Sequence, residues 1–208
     1  MFAGLERRCP GLFVTAGAMM FVAGAFFGVA QVASGAYVLF LVAALLGILA
    51  ATAGCVGTRG LGAGAARSGG VLTVVGGVTL AAGALAVVIN PVAFVLVEIV
   101  GREPAALWSL FVVVFLVTFL GFATVLLTAG VSAWRGDDVP AEVGPLLVGA
   151  ALLLAFPAAD VIFEVVSPPA WMPVVALAIW GAIFLRVGAV LRAGQRDRRE
   201  VDPGEISV

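Results

Sequence analysis

Gly70-Val-Leu-Thr-Val-Val-Gly-Gly-Val-Thr-Leu-Ala-Ala-Gly83, continuing through Asn90-Pro91 to Glu98, carries no charge before its last residue. About 20 apolar residues suffice to cross a bilayer as a helix, so this run reads as a transmembrane segment. Its glycine spacing recurs earlier, where Gly11, Gly17 and Gly24 repeat the intervals of Gly70, Gly76 and Gly83. It recurs in another form later, where Gly149, Pro157 and Glu164 repeat the intervals of Gly83, Pro91 and Glu98. Periodic self-similarity constrains architecture before any single residue does.

Composition agrees with the reading of that stretch. Of 208 residues, 63% are hydrophobic and 11% charged, with a mean hydropathy of +1.22. Soluble domains carry roughly 25% charged residues, and this chain lacks the polar surface to fold in water. Six apolar stretches can be placed, so the expected fold class is all-α, a polytopic membrane bundle of six transmembrane helices. They pair as three parallel two-helix hairpins, at about 11–60, 70–136 and 143–194. The spacing argues for duplication in the first two. Thr52-Ala53-Gly54 with Arg59-Gly60 closes one hairpin, and Thr128-Ala129-Gly130 with Arg135-Gly136 closes the next. One membrane domain, 1–191, is followed by a charged cytoplasmic tail, 192–208, expected to be disordered.

Arginine placement sets the orientation. With the head inside, the cytoplasmic side carries Arg7, Arg8, Arg59, Arg67, Arg135, Arg186, Arg192, Arg196, Arg198 and Arg199, and the outer side only Arg102. The positive-inside rule therefore puts both termini in the cytoplasm. The first apolar run, Gly11 to Ala30, is longer than the roughly 7–15 residues of a signal sequence and reads as a retained helix. The chain has no Lys and no His. Arginine in place of lysine suggests a prokaryote of high GC content, and hence a prokaryotic cytoplasmic membrane.

Within the spans, Asn90-Pro91 is expected to end the crossing helix, with a short outer helix over Val92 to Val100, since proline lacks an amide donor and restricts its predecessor. Pro157 is a second expected kink. Gly17, Gly24, Gly28, Gly76, Gly83 and Gly149 are expected to be packing positions, because small residues let helices approach closely in lipid. Gly24-Ala-Phe-Phe-Gly28 is a GxxxG. Cys9 and Cys55 read as free thiols.

The candidate site is a set of acids: Glu98, Asp160 and Glu164. Glu98 and Glu164 follow their prolines at equal distance, and Asp160 lies one helical turn before Glu164 on the same face. Ionisable residues inside a bilayer are costly and often functional. They are candidates for an ion or proton site in an outer, water-filled vestibule. Placed nearer the interface, they are simply solvated carboxylates. Without His, the usual zinc, haem and copper sites lack ligands, and without His or Lys the usual base for a nucleophile is missing. The loop around Gly60-Leu-Gly62-Ala-Gly64 precedes no lysine and follows no strand, so it is not a phosphate loop. No basic cluster interleaved with aromatics marks a nucleic-acid partner. No cofactor, no metal and no enzymatic activity are expected. The expected partners are the lipid bilayer and either a second copy or another membrane protein.

Gly70, Gly76, Gly77 and Gly83 with Pro91, and Gly149 with Pro157, resemble the HdeD-like acid-resistance family of small six-span membrane proteins. The longer glycine-to-proline interval in the second hairpin departs from that family's pattern. The resemblance implies a stress-linked inner-membrane protein with no established catalytic residue to carry over.

Overall fold

The computed structural model describes residues 3–33, 37–61, 69–98, 105–136, 139–163 and 171–201. Regular structure among them is helical throughout. In chain order the helices are α1 (Ala3–Val32), α2 (Tyr37–Leu61), α3 (Gly69–Glu98), α4 (Ala105–Arg135), α5 (Val143–Phe163) and α6 (Met172–Val201). Four contain apolar stretches long enough to cross a membrane: Arg8–Val32, Val42–Leu61, Leu116–Arg135 and Met172–Arg196. The apolar stretches described in α3 and α5, Val74–Leu85 and Val143–Leu154, are shorter.

Large apolar side chains stand on the exterior as well as in the core. Val22, Val29, Leu45, Leu49, Val78, Val113, Leu120, Leu152 and Ile179 all stand exposed on helix faces. Large contiguous apolar surfaces are foreign to soluble monomers, and this distribution is that of a membrane protein. Its threonines behave accordingly. Thr52, Thr79, Thr118 and Thr124 each donate a hydroxyl hydrogen bond to the carbonyl four residues earlier, at 2.7–2.8 Å. That back-bonding satisfies a polar group within its own helix, where hydrocarbon offers no alternative partner.

The helices form a ring. Each packs on its neighbour in sequence, α6 returns to α1, and α2 also reaches α4. The most extensive pairings are α1 with α2, α1 with α6, α4 with α5, and α3 with α4. α5 lies chiefly on α4 and α6 chiefly on α1, while α5 and α6 meet only slightly.

Two expectations are revised. No helix boundary falls at Asn90-Pro91: α3 is one helix of 30 residues, about 45 Å long at 1.5 Å per residue. One missing donor costs less than leaving a whole turn of backbone unbonded in an apolar setting, so the helix holds on both sides of the proline. Pro157 likewise lies inside α5. α1 begins at Ala3 and carries Pro10 inside it. Part of the tail is helical too, because α6 continues to Val201.

The α1–α6 pairing shows why glycine is needed at particular positions. A Cβ on Gly17 would lie 2.7 Å from the Gly181 carbonyl oxygen and 2.9 Å from the Leu185 backbone nitrogen. One on Gly188 would lie 2.8 Å from the Pro10 carbonyl oxygen. Gly24 faces Leu177 and Val174, and Gly28 faces Val174. Pro10, Gly17 and Gly24 thus oppose Gly188, Gly181 and Val174 in an antiparallel seam with a heptad period, the spacing that keeps two helices in register along a shallow crossing. Gly76 and Gly83 serve another seam, against Val125 and Thr118 of α4. Gly149 serves none: it is exposed, and a Cβ there would meet nothing within 4 Å.

Candidate functional site: an arginine-lined cleft at one end of the bundle

The three acids singled out by spacing are not brought together by any described contact. Glu98 is the last residue of α3 and Asp160 lies in the final turn of α5, but both side chains, and Glu164 altogether, fall outside the described residues. The same holds for the side chains of Pro91 and Pro157.

What the described residues do resolve is a filled centre. Phe13 of α1, Phe122 of α4 and Phe184 of α6 are buried together, with Phe184 ring centroids 5.8 Å from Phe13 and 6.3 Å from Phe122. Trp180, one turn before Phe184, meets Phe122 edge-on at 6.2 Å and stacks near Phe119 at 6.5 Å. Its indole N–H donates to the Ala150 carbonyl of α5 at 3.0 Å. A buried tryptophan needs such a partner, and this bond ties α5 to α6. Gly54 leaves room for the Phe122 and Phe184 rings, and Gly57 for Phe13. The Cys9 thiol also donates to the Gly57 carbonyl, at 3.0 Å. Both cysteines are buried, and neither is in a disulfide.

Thr58 and Thr79 are the buried polar residues among those described. Thr58 donates to Cys55 and Thr79 to Val75, both within their own helices. No buried side-chain polar atom described lacks a partner. No group of three or more His, Cys, Asp or Glu side chains that could hold a metal occurs among the described residues.

Among the described residues, charged side chains meet at one end of the ring. Arg186 of α6 donates to the Glu142 carboxylate just before α5, at 2.7 Å, with both side chains 60% exposed. Further along α6, Arg192 and Gln195 face Arg8, Pro10, Gly11 and Leu12 of α1 across an open cleft of about 370 Å³. The antiparallel α1–α6 seam creates that juxtaposition, bringing the start of one helix to the end of the other. In the sequence these arginines served only to orient the chain, because nothing local links Arg8 to Arg192. Comparison with protein-family models, with curated proteins and with solved structures found no match.

Proposed function

We propose that the chain is a non-enzymatic, multi-pass membrane protein that acts as a structural or accessory component through helix–helix association with a second copy or a membrane partner. In this reading all six helices cross the bilayer, both termini are cytoplasmic, and the membrane is a prokaryotic cytoplasmic membrane. The paired hairpins record duplication in the sequence, while packing joins helices across hairpin boundaries. The resemblance to HdeD-like proteins is compatible with such a role.

The observation that carries the reading is the centre of the ring. Where a solute path would run, Phe13, Phe122, Trp180 and Phe184 fill the space, and the buried hydroxyls of Thr58 and Thr79 are spent on their own helices. A close-packed interior of this kind suits a scaffold better than a conduit.

A second reading rests on the acids. Glu98 at the end of α3 and Asp160 near the end of α5, with Glu164, would line a vestibule for protons or cations. Flux measurement in liposomes, comparing the natural chain with Glu164→Gln, separates the two. The scaffold reading predicts no flux above empty liposomes from either. A proton or cation flux that Glu164→Gln abolishes would replace it with transport.

A further inference from the structure

We infer that the cleft between the start of α1 and the end of α6 binds the headgroup of an anionic phospholipid through Arg8 and Arg192. The inference rests on the reading that these helices cross a membrane, and it adds a ligand to it. Four observations converge on the cleft.

The first is charge. The described lining holds two guanidinium groups and one amide. Neither Arg8 nor Arg192 forms an ion pair among the described residues, whereas Arg186, two turns away, is matched by Glu142. Guanidinium is the side chain best suited to a phosphate, offering paired donors in a planar fork.

The second is depth. Arg8 opens the apolar stretch Arg8–Val32, and Arg192 lies near the close of Met172–Arg196. Both therefore sit where hydrocarbon gives way to water, the level of lipid phosphates. Basic pockets between helices at that level suit anionic headgroups.

The third is room. Gly17 and Gly188 are held against backbone, but a Cβ on Gly11 would meet nothing within 4 Å. Pro10 still meets Gly188 closely, and the open space lies beside Gly11 in the cleft wall. The fourth is the character of the wall: Pro10, Gly11 and Leu12 present an apolar side opposite the charge of Arg192. A volume of about 370 Å³ is at the small end of ligand sites, which run from about 300 Å³ upwards. That admits a headgroup and glycerol backbone, with the acyl chains left in the surrounding lipid.

The test uses the full chain in detergent micelles doped with phosphatidylglycerol or phosphatidylcholine, with retained lipids counted by native mass spectrometry. The natural chain is expected to retain phosphatidylglycerol over phosphatidylcholine by at least about tenfold, given roughly one factor of five per arginine near a lipid surface. Arg8→Gln with Arg192→Gln, and separately Gly11→Phe, which removes no charge, should each abolish the preference at an unchanged melting temperature. Arg135→Gln, at the end of α4, should keep it. Equal retention of the two lipids, or full retention in the double variant, would overturn the inference. So would displacement of the lipid by millimolar inorganic phosphate, which would make the site one for a soluble anion. Resistance of the chain to alkaline extraction from membranes reads the membrane assignment separately, so a failure of lipid binding and a failure of membrane insertion are told apart.

Discussion

At Gly17 the backbone of α6 is so near that even one methyl group has no place. The atoms a Cβ would strike are the Gly181 carbonyl oxygen and the Leu185 backbone nitrogen, neither of which can rotate away. Gly17→Ala should therefore separate α1 from α6 and destabilise the protein by about 1–3 kcal/mol, the range for overpacking a filled interior. Gly149→Ala should be neutral, or stabilising by up to about 1 kcal/mol, since alanine favours helix and the position is open. Thermal unfolding in detergent compares the two directly. Trp180→Phe keeps most of the ring contacts but deletes the donor to Ala150. A loss of about 1 kcal/mol is expected from the bond alone, seen as a lower unfolding midpoint. As letters these glycines are alike. Spacing marked Gly17, Gly24 and Gly149 equally, because glycine permits close approach without naming the surface that approaches. Trp180 carried no signal, since one tryptophan in an apolar run reads as well at a membrane interface as in a core.

The elements were legible where composition decides them and illegible where a partner does. Apolar runs bounded by arginines and Gly/Pro turns place all six helices. Their ends moved for two reasons. Proline at 91 removes one hydrogen bond from α3, and the helix tolerates that loss. The charged start of α1 and end of α6 are helical where each continues a seam already formed. The pairing of α6 with α1 could not be read from hairpin logic, which joins helices adjacent in sequence. Crosslinking tests it. Gly28 and Val174 face each other, with a Gly28 Cβ placed 3.6 Å from a Val174 methyl. In a background lacking Cys9 and Cys55, Gly28→Cys with Val174→Cys should form an intramolecular disulfide on mild oxidation. Protease cleavage between α1 and α6 would then leave the fragments joined. Fragments that separate without reductant would place the two helices apart.

For the molecule as a whole, the described residues put large apolar side chains on exposed helix faces and pack aromatic rings together in the core. The class was readable from hydropathy alone, because no aqueous fold survives with so little charge. The role was not, since association surfaces and lipid-facing surfaces draw on the same residues, and since Glu98, Asp160 and Glu164 give no described contact by which to judge them. A scaffold is defined by what it holds. The measurement that bears most directly on this account is the mass of the intact assembly after gentle extraction of the tagged full chain from its native membrane. The account predicts a stoichiometric complex, with a second copy or with another membrane protein. A bare monomer, recovered under conditions that preserve other membrane complexes from the same preparation, would contradict it.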